Sequence, residues 1–123
     1  MLLNFDFSSD TPIYLQLRNQ IVIGIGSGKL KQGDKLPTVR ALAEESGINV
    51  MTVSKAYRLL KQEGYIVTDR RKGAVVAAQS GTPAVKDEML HDLRLRIHEL
   101  RLAGMTKDAL HKLVESLYEE ANT

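Results

Sequence analysis

Apolar residues recur every three or four positions in four stretches of the chain, a spacing that places them on one face of a helix. In the first stretch they are Ile13, Leu17, Ile21 and Ile25. Thr11 and Pro12 stand before this stretch, so we expect Thr11 to cap the helix and Pro12 to be its first residue. Gly28 is the expected end of the helix.

Two shorter helices are predicted next. Thr38 is the expected cap of the second helix, which buries Leu42 and Ala43 and ends at Gly47. Asn49 is the expected cap of the third helix, and Gly64 its expected end. The apolar positions of the third helix fall at i, i+3, i+4 and i+7, and they are Val53, Ala56, Tyr57 and Leu60.

Two β-prone runs, residues 65–68 and 74–77, flank a basic tip at residues 69–73. Residues 35 and 36 suggest a very short additional strand. Two short helices joined by a tight turn and followed by a hairpin describe a winged helix-turn-helix. The expected fold class is therefore mainly α with a small β-wing.

The remainder of the chain predicts a helical segment. Residues 79–83 read as a linker, so we expect one domain over 1–78 and a separate helical region over 84–121. Gly104 separates the two helices of that region, and Thr106 caps the second. Their apolar positions are Val85, Met89, Leu93, Ile97 and Leu100, then Leu110, Leu113, Val114, Leu117 and Tyr118.

Composition excludes several classes of protein. The chain has 123 residues, of which 43% are hydrophobic and 26% are charged, and it contains no cysteine. Disulfide frameworks, cysteine-ligated zinc, iron–sulfur clusters and thiol catalysis are therefore excluded. No apolar run approaches the roughly 20 residues that span a bilayer, and no basic leader precedes an apolar stretch. We expect a cytoplasmic protein without a membrane partner.

The distribution of charge is more informative than its total of +2. Residues 1–80 carry 11 Lys/Arg against 7 Asp/Glu, whereas residues 81–123 carry 6 against 8. The basic excess lies within residues 35–76, which contain 8 positive and 4 negative charges. A basic patch on a small domain is compatible with nucleic-acid binding.

The third helix supplies the expected DNA-reading surface. Because its apolar stripe is buried, its other face presents Met51, Thr52, Ser54, Lys55 and Arg58, and a face of this size and polarity suits a major groove. Asn49, Thr38 and the helix N-termini can bind phosphates. Arg40 points away from the buried stripe of the second helix. The tip cations Arg70, Arg71 and Lys72 can reach the DNA backbone or the minor groove.

Several ordered blocks resemble the N-terminal domain of the GntR family of bacterial transcriptional regulators. They are residues 12–17 (PIYLQL), 28–43 (GKLKQGDKLPTVRALA), 52–60 (TVSKAYRLL) and 63–66 (EGYI). Only 43 residues follow Ser80, which resembles the YtrA-type subfamily with its short helical dimerisation tail. The resemblance implies a homodimer on an inverted-repeat operator, usually a repressor, often of operons for ABC transporters or envelope stress.

The resemblance also implies individual DNA contacts. Arg40 matches an outward arginine of the family, Thr52 a DNA-contacting threonine, Lys55 a subfamily lysine, and Gly73 the second glycine of the wing. The chain departs from the family at Val50 and Met51, where many members carry Arg or Pro-Asn. Contact of an apolar side chain with a thymine methyl can replace the missing readout there. Arg71 replaces the first glycine of the wing, which changes how the tip enters the groove.

Other interpretations of these residues are open. Lone surface cations are usually solvated, and Tyr14 and Tyr57 on apolar faces favour the core over base stacking. His91 and His98 share a helix face but lack the three or four converging ligands of a metal site. No catalytic residue, cofactor or metal is expected.

The C-terminal stripes could dock on their own domain, pair with a second copy or bind another protein. Self-pairing is favoured, and a pocket for an unidentified small-molecule effector at that interface remains open. The rival functions are a protein-interaction adaptor and an architectural DNA-binding protein without an operator. An enzyme is the least supported.

Overall fold

The computed structural model describes residues 3–79 and 86–120, which fold into two compact units divided between residues 79 and 80. The first unit contains three helices and a two-stranded sheet, and the second contains two helices. The elements are α1 (Ile13–Gly26), α2 (Val39–Ser46), α3 (Val50–Gln62), β1 (Ile66–Asp69), β2 (Gly73–Val76), α4 (Asp87–Leu102) and α5 (Lys107–Glu120).

The core of the first unit is built where α1 and α2 pack against α3. The apolar stripe predicted for the third helix is confirmed, because all four of its residues are buried. Leu42 and Ala43 are buried as expected from α2, and Leu17 and Ile21 contribute from α1. Burial of this continuous apolar surface is the main stabilising contribution to the unit. It also fixes which face of α3 remains outside.

The turn between α2 and α3 is set by local chemistry. Gly47 adopts a left-handed φ of 67°, a conformation that a side chain disfavours, and its N–H donates to the carbonyl of Ala43. The Ile48 N–H donates to the same carbonyl at 3.2 Å. The predicted end of the second helix is therefore confirmed, and α3 begins only three residues later.

The wing is an antiparallel hairpin in which Ile66 pairs with Val76 and Asp69 with Gly73. The connection between the strands is three residues long, and Gly73 takes a φ of 84° at its end, as is common in such hairpins. The short additional strand predicted at residues 35 and 36 is only a single bridge, Lys35 to Val75. This bridge ties the wing to the segment that leads into α2.

The start of the first helix differs from the prediction. α1 begins at Ile13, and Pro12 is the N-cap, so the predictions that Thr11 caps the helix and that Pro12 is its first residue are both wrong. The reason lies in a neighbouring side chain. The Gln16 amide donates to the carbonyls of Thr11 and Asp6, and its oxygen accepts from the Asp6 N–H at 2.9 Å. Gln16 thereby orders the chain ahead of α1, and the Pro12 carbonyl accepts the first helical N–H bonds.

The second unit is a pair of helices connected at Gly104, whose φ is 102°. The predicted cap of α5 is confirmed, since the Thr106 hydroxyl accepts from the Ala109 N–H at 3.1 Å. Val85 and most of the predicted linker lie outside the described residues. Within residues 86–120 no side chain of α4 or α5 is buried. Among the helices described, none has the length and apolarity needed to cross a membrane.

Candidate nucleic-acid interface

The exposed face of α3 carries the side chains predicted to meet DNA. Met51 is 71% exposed, which agrees with its position out of phase with the buried stripe. Lys55 and Arg58 are exposed, and Thr52 and Ser54 are half-buried along the same helix. The structure thus brings a mixed apolar, hydroxyl and cationic set onto one helix face. Its contact with DNA stays a prediction.

Both predicted caps of the helix-turn-helix are confirmed as caps. The Thr38 hydroxyl accepts from the Ala41 N–H at 3.1 Å, and the Asn49 side-chain oxygen accepts from the Met51 N–H at 2.7 Å. Each cap satisfies one N–H that would otherwise lack a partner at the helix start. Both cap residues are exposed.

Arg40 lies in the first turn of α2 and is exposed, as the sequence predicted. In the described parts of the chain its guanidinium has no acidic partner within 4 Å. A guanidinium that is not neutralised inside its own protein can form two parallel hydrogen bonds to a phosphate.

The wing tip presents three cations around one internally satisfied carboxylate. Arg70, Arg71 and Lys72 are exposed. Asp69 accepts from the Arg71 N–H at 2.7 Å and from the Lys72 N–H at 3.1 Å, and these two bonds lower the pKa of the Asp69 carboxyl. The carboxylate therefore shapes the tip, while the cationic side chains remain directed to solvent.

Tyr57 links α3 to the segment before α2. The buried Tyr57 hydroxyl donates to the Pro37 carbonyl at 2.7 Å, which confirms that this tyrosine belongs to the core. Burial, with a smaller contribution from the negative charge of Glu45, raises the pKa of Tyr57 to about 12. The bond holds the cap of α2 against the underside of α3.

An ion pair that joins α1 to the end of α3 was not predicted. Arg18 donates through Nε and Nη2 to the two carboxylate oxygens of Glu63, at 2.9 and 2.8 Å. The guanidinium carbon also lies 5.6 Å from the centre of the Tyr65 ring. The hydrogen bonds to Glu63 raise the pKa of Arg18. No pattern in the sequence could have found this contact, because its partners lie in different elements.

The second unit exposes an apolar surface that we call the hairpin face. It consists of the residues predicted to dimerise: Met89, Leu93, Ile97, Leu100, Leu110, Leu113, Val114, Leu117 and Tyr118. Ile97, Leu100 and Leu110 are half-buried, and the other six are exposed. Large apolar surfaces left uncovered on a protein usually mark sites of association.

The second unit has two further features. Leu95 and Leu102 form a second exposed apolar strip on α4, and their seven-residue spacing could have revealed it. A cavity of about 330 Å³ lies where α4 meets α5. Its lining residues are Ile97, Leu100, Arg101, Met105, Thr106, Lys107 and Leu110.

Metal binding receives no support from the described residues. Across 3–79 and 86–120, no group of three or more histidine and carboxylate side chains is placed to hold a metal ion.

Comparison with known proteins decides the family. Residues 13–76 match the sequence profile of the bacterial regulatory proteins of the gntR family, over just more than half of the chain. The chain belongs to the GntR family. The matched residues include the helix-turn-helix and the wing, so this membership confirms the resemblance identified from the sequence blocks.

Relatives extend the similarity of this GntR protein to nearly its whole length. It is 35% identical over 119 residues to the HTH-type transcriptional repressor YtrA of Bacillus subtilis, covering 94% of this chain and 92% of that protein. A solved structure of YtrA from Sulfolobus acidocaldarius, described as a GntR-family transcription factor, is 38% identical. It matches 98% of this chain and all of that chain, with a TM-score of 0.60.

A third comparison concerns a protein solved with DNA. The structure of AraR(DBD) in complex with operator ORX1 is 26% identical to this GntR protein. The match covers 63% of this chain and 96% of the AraR(DBD) chain, with a TM-score of 0.55. The winged helix-turn-helix fold is therefore shown. The family and the relatives named here are regulators of transcription rather than enzymes.

Proposed function

We propose that this GntR-family protein is a homodimeric repressor that binds a specific double-stranded DNA operator. The observation that carries the proposal is the division of α3 into a fully buried apolar stripe and an exposed polar and cationic face. A helix held rigidly from one side presents its other side to a major groove without further ordering. The similarity to YtrA, named a repressor, and to AraR(DBD), solved with an operator, supports this function.

In the proposed complex each surface has a distinct task. The N-terminal half of α3 reads base edges through Thr52, Ser54 and Lys55, while Met51 packs against a thymine methyl. Arg58 continues the same face one turn further along the helix. These contacts supply the sequence preference.

The surrounding groups fix the position of α3 on the duplex. Arg40 binds a phosphate, and the capped N-termini at Thr38 and Asn49 direct N–H groups to others. The wing reaches the backbone or the adjacent minor groove through Arg70, Arg71 and Lys72, with Gly73 allowing the tight turn. These contacts supply affinity that depends on salt but not on sequence.

The hairpin face pairs two chains, so the operator is an inverted repeat. A two-fold dimer buries the same surface twice and places two recognition helices on one side of the duplex, about 34 Å or a multiple apart. Residues 1–78 then serve as the DNA-binding domain and 84–121 as the dimerisation region. The cavity between α4 and α5 is the candidate site for a small-molecule effector, because three residues of the hairpin face, Ile97, Leu100 and Leu110, line it.

The test begins with selection of bound sequences from a random DNA pool at physiological salt. We expect an inverted repeat to be enriched. Arg40→Ala should then weaken binding to all sequences alike, with Arg94→Ala on α4 as the control of equal charge. Lys55→Ala should change the preferred base and cost about 1–3 kcal/mol on the selected site, with Lys61→Ala on the same helix as its control.

Two outcomes would overturn the proposal. Equal binding of random and selected duplexes would indicate an architectural DNA-binding protein. An absence of salt-dependent DNA affinity would indicate a protein-interaction adaptor, since winged helices also bind proteins.

A further inference from the structure

Lys55 is held against an aromatic ring from another helix. Its Nζ lies 4.1 Å from the centre of the Tyr14 ring, a distance at which an ammonium is attracted to the ring face. Lys55 stands on the exposed face of α3, between Met51 one turn before it and Arg58 one turn after it. Tyr14 is the second residue of α1. The contact therefore joins the start of α1 to the DNA-reading face.

The two partners differ in how firmly they are fixed. Tyr14 is half-buried and packs against the core of the first unit, so its ring is held in place. Lys55 is exposed, and within the described ranges no carboxylate lies within 4 Å of its ammonium. A free lysine has four rotatable bonds, and binding must order them. The ring offers the only fixed attachment found for this side chain in the described residues.

We infer that Tyr14 is a positioning residue of the DNA interface, which holds the Lys55 ammonium ready to read a guanine. This inference rests on the proposed DNA-binding function. Guanine presents two acceptors, O6 and N7, in the major groove, and lysine is one of the two side chains that commonly bind them. An ammonium already oriented loses less conformational freedom when it binds, which increases both affinity and discrimination between bases.

The same contact allows a second interpretation, which predicts the opposite change in DNA affinity. If the ring instead withdrew the ammonium from the groove, removal of the ring would strengthen DNA binding. Whether removal of the ring weakens or strengthens DNA binding therefore distinguishes the two interpretations.

The experiment compares Tyr14→Leu, Tyr14→Phe and Lys55→Ala, with each protein used in a new selection of DNA sequences. We expect Lys55→Ala to lose a preference for guanine at one position of each half-site, and Tyr14→Leu to weaken that preference at the same position. Affinity for the wild-type site should fall about 2- to 5-fold in Tyr14→Leu, the range for an exposed cation–ring contact. Tyr14→Phe keeps the ring face and should retain wild-type binding.

A double-mutant cycle shows whether Tyr14 acts through Lys55. In the Lys55→Ala background, Tyr14→Leu should have no further effect on DNA affinity. The matched control is Tyr65→Leu, which removes the ring next to Arg18 and should leave the guanine preference unchanged. Thermal unfolding of each variant verifies that it is folded at the temperature of the binding assay.

Fluorinated phenylalanines at position 14 provide a test that does not change the packing. Fluorine weakens the negative face of the ring while the ring keeps nearly the same shape, so the guanine preference should decrease with each added fluorine. The inference is overturned if the guanine preference is independent of fluorination, if Tyr14→Leu strengthens DNA binding, or if Lys55→Ala keeps the full preference for guanine. If the wild-type protein selects no sequence at all, it is the proposed DNA-binding function that fails.

Discussion

Leu117 lies on the hairpin face, and its replacement by aspartate tests whether that face joins two copies of the chain. Leu117 is 54% exposed, so about half of its surface remains available for burial by a partner. Complete burial of a leucine side chain contributes about 1.5–3 kcal/mol, so this half contributes about 1 kcal/mol per chain. A two-fold interface contains the residue twice, which gives about 2 kcal/mol per dimer.

Aspartate adds a desolvation cost to the lost contact. A carboxylate buried without a partner costs at least about 1–3 kcal/mol, again twice per dimer. Together the two effects raise the dissociation constant of the dimer by about 1,000-fold or more. Sedimentation equilibrium should show Leu117→Asp as a monomer at micromolar concentrations where the wild-type protein is a dimer. Its operator affinity should fall as well, because one chain holds only one half-site.

Leu95→Asp is the matched control for this change. Leu95 is 52% exposed, lies on the opposite side of α4 from Leu93, and was not predicted to dimerise. It should leave the dimer intact. If Leu117→Asp remained a dimer while Leu95→Asp did not, the pairing surface would be the strip of Leu95 and Leu102 rather than the hairpin face.

Three further predictions concern the first unit. Tyr57→Phe should lower the free energy of unfolding by about 1 kcal/mol at pH 8, because the Pro37 carbonyl loses its donor. Since burial raises the pKa of Tyr57 from 10.0 to about 12, the wild-type protein loses this advantage as the pH rises through that window. Urea unfolding at pH 8 and pH 11 checks this, and a constant gap between the two proteins would contradict it. Gly47→Ala should cost about 1–2 kcal/mol, because its φ is 67°; an unchanged melting temperature would refute the left-handed turn. Asp69→Ala should speed amide hydrogen exchange at Arg71 and Lys72 at pH 6, where the lowered pKa of Asp69 keeps the wild-type carboxyl ionised. Equal exchange rates would show that the carboxylate does not order the tip.

Local patterns in the sequence predicted the helix-turn-helix because its determinants are local. Thr38 and Asn49 each accept from an N–H two or three residues ahead, so residue type and position suffice to identify them as caps. The buried stripe from Val53 to Leu60 follows from helical periodicity in the same way. The positions of the exposed side chains on α3 could therefore be deduced as soon as the stripe was recognised.

Contacts between distant elements could not be predicted from one sequence. Two contacts depend on how α1 packs across α3, and they are Tyr14–Lys55 and Arg18–Glu63. No regular spacing in the sequence indicates either of them. The same limit explains the error at Thr11. A threonine before a proline is a good candidate cap, but the Gln16 side chain ordered the preceding backbone instead.

The Arg18–Glu63 pair also bears on how binding measurements should be read. Its side chains are only 23% and 32% exposed, so salt screens this pair less than it screens fully exposed charges. The Arg18–Glu63 pair is therefore less sensitive to salt than the electrostatic attraction of the protein to DNA. The slope of log affinity against log salt concentration reports counterions released from the duplex, at about 0.9 per neutralised phosphate, and can be used to count the phosphates this regulator touches.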